Sequence, residues 1–564
     1  MEKRSGIQNT ILLLFVGFYA INISRYFWTW PAPSDPLQYL GPAMCKTTYG
    51  YWPWLDRISI AVNLRLFTML FHKGYVAGMT YIGFVNTAIL ILSMFWALRK
   101  SGFWAALFVG IFVNSSYFML GWSTYLYPDQ TVALYSLAAF IFFFSGIKSN
   151  IYIRPTVIAG FFTALACFSK ITGLAAFIFF IVYLVRKKER DKIIEFIWGN
   201  ILGTVLTIVL FCFLYNIPSF LNVCYLFFKS SVLANVRLPY NYILTYYKTI
   251  FSIISFPLAA ILFSFSAYKN NNSRLLFMMA WCYVVLLYII RRVGPPIPNY
   301  IYSSYVFVLL GFSVHLGNMI GRPGPGKKYD RYAIIAALLA LALIYCGLRL
   351  GFKHGPAAEF DYWYNYKPLD ICRKKDIIYA PLVKMLYMMT PYIIAASLAC
   401  IEFFRSKRLI IAFVLIGAFA VAFFNGGLAY KKADFDRKEA AEYYACAKML
   451  NEVPEKKFSV YFSREENKKM ARNFDRVVWV YRLFYNDKYP QGTEYDAQYA
   501  NDNEITSGIR IVPDENSLKD AKWGQILTDD ERTVRNNIPG AEKVKDFRWN
   551  GMQYFVLNFK TRGQ

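Results

Sequence analysis

Histidine is nearly missing from this chain: His72, His315 and His354 are its three copies in 564 residues, too scattered to suggest a shared metal. There is no HExxH helix and no CxxC pair, so the nine cysteines supply neither a metal framework nor a disulfide framework. Cys167, Cys212, Cys282, Cys346 and Cys400 lie in or beside apolar runs, where cysteine behaves as a small hydrophobe. Cys45, Cys224, Cys372 and Cys446 are expected on the extracytoplasmic side, where a bridge stays open. Charge is scarce at 17% of residues, and acids are fewer than bases, 35 against 62. Internal repeats and low-complexity tracts are absent.

What is present is apolar surface: 57% hydrophobic residues and 19% aromatic ones. Runs long enough to cross a bilayer, roughly 17–25 residues each, recur from Ile7 to about Phe424. The spacing predicts about thirteen spans, at 7–23, 76–98, 102–120, 130–147, 155–169, 171–185, 194–213, 246–266, 275–290, 301–317, 332–348, 381–400 and 409–425. Met1-Glu-Lys-Arg4 leads into the first run with no convincing small-residue cleavage site, so that span is expected to stay uncleaved.

A net charge of +27 invites a nucleic-acid partner. The placement of the bases excludes it. They cluster in short connectors: Arg99/Lys100, Lys148 to Arg154, Arg186 to Lys192, Lys269 to Arg274, Arg322 to Arg331 and Arg405 to Arg408. Those connectors alternate with weakly charged ones, the pattern of a multi-pass protein with its basic loops in the cytoplasm. The expected setting is the plasma (inner) membrane, with a cytoplasmic N-terminus and, from the odd span count, an outer C-terminus. From Asn425-Gly-Gly427 the composition turns soluble. A helix over Asp436 to Val453 and β-like runs at 458–462, 477–481, 508–512 and 554–558 predict a small α/β domain over 428–564, beyond a membrane domain over 1–427.

The outer connectors hold the candidate chemistry. Asp35 follows the first span in Pro31-Ala-Pro-Ser-Asp-Pro36, a costly place for a lone carboxylate without a task or a partner. Asp129 stands at the equivalent place after Gly121-Trp-Ser-Thr-Tyr-Leu-Tyr-Pro128, and Asp56 lies between them. Lys46, Arg57, Arg65, Lys170, Lys229, Arg237, Arg291 and Arg292 supply cations. A carboxylate can deprotonate an acceptor hydroxyl, and Lys or Arg can hold a phosphate by charge-assisted hydrogen bonds. Arg291 and Arg292 break the positive-inside pattern, which suggests an anion held there. Plainer readings stand beside these. Asp35 and Asp129 suit helix starts, Asp56 and Arg57 an interfacial ion pair, Lys170 a side chain reaching for the surface, and the arginine pair lipid headgroups. Ile58 to Phe71 suits an interfacial helix lying on the bilayer.

In order along the chain, Asp35, Tyr51-Trp-Pro-Trp-Leu-Asp56, Tyr127-Pro-Asp129, Phe168-Ser-Lys170-Ile-Thr-Gly173, and Arg291/Arg292 followed by Pro298 resemble the membrane-embedded GT-C glycosyltransferases. The resemblance is to the branch of protein O-mannosyltransferases and aminoarabinose lipid A transferases. Pro36 stands where the family often has a second acid. The resemblance implies a GT-C-like helical domain and an inverting, metal-independent transfer at the outer face. Its donor would be an isoprenoid-phosphate sugar, used as a substrate, with no cofactor. Asp35, Asp129 and Asp56 would be the catalytic acids, with Asp35 as general base. Lys170, Arg291, Arg292, Arg57 and Lys46 would hold the donor phosphate, and Tyr39, Tyr127 and Tyr300 would line the acceptor loops. The chain is expected to act as a monomer on a glycan, lipid or protein acceptor. The rival is a lipid-linked-sugar flippase or another transporter, which calls for charges deep within several spans and for pseudo-repeated halves. The sugar and the acceptor stay open.

Overall fold

The structure is a computed structural model. It describes 6–24, 57–71, 74–121, 125–144, 154–218, 271–290, 302–321, 327–354 and 407–427, most of 458–464 and 504–559, and a few shorter pieces, among them Tyr39 and Leu40. The chain divides into two compact units: one of Met1–Thr29 and Asp56–Asp436, the other of Trp30–Leu55 and Arg437–Gln564.

The first unit is helical. Its elements are α1 (Gly6–Asn22), α2 (Ile58–Phe71), α3 (Gly74–Ser101), α4 (Phe103–Ser115), α5 (Tyr117–Gly121), α6 (Pro128–Phe144), α7 (Pro155–Ser169), α8 (Leu174–Lys187), α9 (Arg190–Leu214), α10 (Asn271–Ile290), α11 (Tyr302–Ile320), α12 (Lys327–His354) and α13 (Lys407–Val421), the last continuing into a π-helical turn, Ala422–Gly426. Helices thus stand where the apolar runs predict them. The runs at 246–266 and 381–400 lie outside the described residues. Among the described residues, four helical stretches are long and apolar enough to cross a membrane: Val76–Ser101, Arg190–Leu214, Tyr302–Ile320 and Arg331–His354. On α9, Trp198, Leu202, Val205, Val209 and Phe213 face outward. Such a stripe suits a lipid-facing helix, because lipid tails ask for no polar surface.

Close helix approach holds this unit together. Cβ atoms added at Gly160 of α7 and at Gly199 of α9 would lie 2.2 Å from the Phe196 carbonyl oxygen and 2.0 Å from that of Val157. Only glycine lets the two backbones come so near, the small-residue packing that membrane helices use in place of a hydrophobic drive. The positive connectors add the ion pair of Arg154 with Glu195, which joins the starts of α7 and α9. One expectation needs amending. The first half of α2, Ile58 to Val62 with Leu64, is buried against α3, α7 and α9, and Tyr215 donates to the Ala61 carbonyl at 2.9 Å. The second half, with Met69 and Leu70 exposed, keeps the character of a surface helix.

The second unit carries a six-stranded sheet: β1 (Phe458–Tyr461), β2 (Glu504–Ile505), β3 (Ile509–Ile511), β4 (Gln525–Thr528), β5 (Glu542–Trp549) and β6 (Met552–Asn558), in the order β2-β3-β1-β4-β6-β5. The neighbours of β1 run parallel to it, and the other pairs are antiparallel. Its core joins Tyr461, Val512, Leu518, Ile526, Val534 and Leu557. Asp529, buried at the end of β4, accepts from the backbone N–H groups of Ser463 at 2.7 Å and Arg464 at 3.2 Å, which ties down the exit from β1. Asp530 caps α14 (Glu531–Asn537) through the Thr533 N–H at 3.1 Å. The expected runs at 458–462, 508–512 and 554–558 are strands. The run at 477–481 and most of the expected helix over 436–453 lie outside the described residues.

Candidate active site

Asp129 is the second residue of α6, behind Pro128. Proline there has its φ preset for a helix and lacks an N–H that would otherwise go unbonded. The carboxylate therefore sits at the positive end of a helix dipole. It is also buried, at 1% exposure.

Lys170 ends α7 with an extended backbone, φ −169°, and its N–H donates to the Ala166 carbonyl. A single 3-10 turn, Ile171–Gly173, then leads into α8. Gly173 closes that turn by donating its N–H to the Lys170 carbonyl at 2.8 Å. A Cβ at Gly173 would lie 2.3 Å from both the carbonyl carbon and the oxygen of Ala166. The glycine is required by contact, and Lys170, three residues earlier, is turned into the bundle and not outward to the surface.

The two meet. Lys170 Nζ donates to Asp129 Oδ1 and Oδ2, each at 2.8 Å, and Lys170 is only 8% exposed. An ammonium has three N–H donors. Burying two opposite charges is costly, and the pair is tolerable because each neutralises the other through hydrogen bonds.

The surroundings fix this pair. Ser303 donates to the Asp129 backbone carbonyl at 3.2 Å, and Gln130 Nε2 donates to the Tyr125 carbonyl at 3.1 Å. Tyr125 and Tyr127 stack at 5.7 Å with an 11° interplanar angle, just ahead of the helix start. Deeper on α6, Thr131 hydrogen-bonds Tyr81 at 2.8 Å, and Asn63 Nδ2 reaches the Tyr135 hydroxyl at 2.7 Å. Ser136 hydrogen-bonds Tyr283 of α10.

The start of α11 acts as a four-way clasp. Tyr302 donates to Asn86 of α3 at 2.5 Å, Ser303 to Asp129 of α6, Ser304 to the Ala280 carbonyl of α10 at 3.0 Å, and Tyr305 pairs with Ser116 at 2.5 Å. Consecutive residues of one helical turn point in different directions, so a single turn reaches four neighbours. Sequence reading passed over it. Its one signal was four hydroxyl-bearing residues in a row, Tyr-Ser-Ser-Tyr, opening an apolar span.

Of the remaining candidates, Arg57 is buried immediately before α2, where its carbonyl accepts from the N–H groups of Ile60 and Ala61. Tyr127 is partly exposed beside Asp129, and Tyr39, in the second unit, is buried. Asp35, Lys46, Asp56, Arg291, Arg292 and Tyr300 lie outside the described residues. Among the described residues no three His, Cys, Asp or Glu side chains are grouped to share a metal ion.

No family model matches the chain, and its sequence matches no curated protein. Solved structures do resemble it. ArnT from Cupriavidus metallidurans in the apo state is 13% identical at TM-score 0.48, over 98% of this chain and 98% of that one. ArnT bound to undecaprenyl phosphate is 12% identical at TM-score 0.46, over 98% and 97%. An Archaeoglobus fulgidus oligosaccharyltransferase in the apo form is 11% identical at TM-score 0.47, over 92% and 69%. These are GT-C glycosyltransferases, the superfamily that the sequence resembles.

Proposed function

We propose that this chain is a membrane glycosyltransferase that moves a sugar from a polyprenyl-phosphate-linked donor to an acceptor hydroxyl at the outer face. The observation that carries the reading is the buried Lys170–Asp129 pair, held between the start of α6 and the turn that joins α7 to α8. With N–H donors directed at Asp129, the ammonium is oriented before any ligand arrives, and a fixed cation of this kind suits a phosphate oxygen.

When the bond from the anomeric carbon to the phosphate oxygen breaks, negative charge grows on that phosphate. A cation already fixed in a poorly solvated site stabilises this charge with little reorganisation, an effect that can carry much of a rate enhancement. Arg291 and Arg292 are assigned the same task on sequence grounds alone. Also from the sequence, Asp35 takes the proton of the acceptor hydroxyl as its oxygen attacks. The phosphate leaves as a stable anion, so the displacement is a single inverting step and calls for no general acid.

Charge placement favours this over transport. The buried charged side chains described in the helical unit are Arg57, Asp129 and Lys170, each at or beside a helix end. A translocation path would set such groups near the middle of spans.

The test is transfer by the purified chain, supplied with a panel of undecaprenyl-phosphate-linked sugars and hydroxyl acceptors. The expected outcome is release of undecaprenyl phosphate and a product of inverted anomeric configuration, read by NMR. Proteoliposomes that move lipid-linked sugar across the bilayer while transferring none would overturn the reading.

A further inference from the structure

Thr172 is the middle residue of the 3-10 turn that follows Lys170. Its side chain is 4% exposed, and its hydroxyl has no hydrogen-bond partner among the described residues. The rest of the turn is bonded. Gly173 donates to the Lys170 carbonyl, and the Leu174 N–H reaches the carbonyls of Ile171 and Thr172. The turn packs against α6, which carries Asp129, and against α10.

A buried hydroxyl without a partner is a standing cost, since water has been stripped from it and nothing has replaced the lost hydrogen bond. Valine has the same shape and would carry no such penalty. Threonine therefore serves folding poorly here, and a group that arrives later would give it a use. The arriving group fits the chemistry of its neighbour two residues back. Lys170 is a cation hydrogen-bonded to Asp129, and a hydroxyl two residues on, in the turn that Lys170 opens, is a neutral donor for a second oxygen of one anion.

We propose that the Thr172 hydroxyl is a ligand-contacting group that donates a hydrogen bond to the lipid phosphate held at Lys170. The inference rests on the reading of Lys170 as a phosphate-binding residue. It assigns Thr172 to ground-state recognition of the phosphate, so the effect appears in affinity for the lipid even with no sugar attached.

The experiment uses the full chain in nanodiscs as wild type, Thr172→Val and Thr172→Ser. It reads the Kd for undecaprenyl phosphate, the Kd for undecaprenol, and the Tm without lipid. Thr172→Val is expected to raise the Kd for undecaprenyl phosphate roughly tenfold or more, the scale of a lost hydrogen bond to a charged group. Undecaprenol binding should be equal in all three, Thr172→Ser should bind the phosphate like wild type, and the lipid-free Tm of Thr172→Val should be unchanged or higher. An unchanged Kd in Thr172→Val would overturn the inference while leaving the wild-type phosphate site standing. So would an equal loss toward undecaprenol, or a lipid-free Tm several degrees lower, which would mark the hydroxyl as structural. A wild-type chain that fails to bind undecaprenyl phosphate would overturn both this inference and the reading beneath it.

Discussion

Lys170 Nζ stands 2.8 Å from each carboxylate oxygen of Asp129, a residue 41 positions earlier in the chain, and both side chains are buried. The helix starting at Pro128 and the turn closed by Gly173 thus meet at one charge pair, whose two halves have unequal uses. Asp129 fixes the direction of the ammonium, and the ammonium neutralises the buried carboxylate.

Removing one partner should therefore cost more than removing both. Asp129→Leu or Lys170→Met alone leaves a buried charge uncompensated, and each is expected to destabilise by about 3–5 kcal/mol. The double variant should recover much of that loss, read as Tm and denaturant midpoint of the purified chain in a double-mutant cycle. Additive losses would mean that the two side chains do not act as a pair.

Gly173→Ala should be damaging out of proportion to one methyl group. Its Cβ would meet the Ala166 carbonyl at 2.3 Å, so the turn must shift. We expect a loss of about 1–3 kcal/mol, the usual cost of overpacking, together with weaker binding of undecaprenyl phosphate as Lys170 moves. Gly83→Ala is the control, since the nearest atom to its added Cβ is at 3.8 Å.

Asp35→Asn keeps the size and capping capacity of the side chain but removes its basicity. Turnover should drop by about 10² or more, the scale of a lost general base, with expression and Tm near wild type. Asp35→Glu should recover little, because an added methylene misplaces the carboxylate. Near-normal transfer by Asp35→Asn would move the base to Asp129 or Asp56.

In the second unit, burial works to raise the Asp530 carboxyl, but the hydrogen bonds from the Thr533 N–H and hydroxyl hold it below its ordinary value. Its contribution is therefore present above the unfolded carboxyl pKa near about 4 and fades as pH falls through the lower folded value. Hydrogen exchange of α14 in the full chain should accelerate below that pH. Asp530→Ala should lose about 1 kcal/mol at neutral pH, the typical worth of an N-cap, and should flatten the pH response. An acid response unchanged in the variant would assign it to other carboxyls.

Much of the architecture was legible because the signals are local. A run of apolar residues long enough for a bilayer predicts α9 or α11 with no knowledge of its neighbours, and Val-Tyr or Phe-Val alternation marks β1 and β6. The strands that escaped notice are those whose pattern depends on context. Gln525–Thr528 sets two apolar residues side by side between polar ones and shows no alternation, and Glu542–Trp549 carries Lys543, Lys545 and Arg548 as an edge strand whose charges also discourage pairing with other chains.

Composition and spacing by themselves determined the helical class, the apolar outward-facing surface, the strand-bearing C-terminal segment, and the short roll of acids and bases from which a site could be drawn. The tertiary structure decided which of these meet. Lys170 turns inward to an Asp129 that lies 41 positions away in the chain, and the Asp129 carbonyl accepts from Ser303, 174 positions away. Neither pairing, Lys170 with Asp129 or Asp129 with Ser303, leaves a mark within a window of sequence. Each is a matter of two segments approaching closely enough to share a proton, and the energy of such contacts belongs to the pair and to neither residue alone.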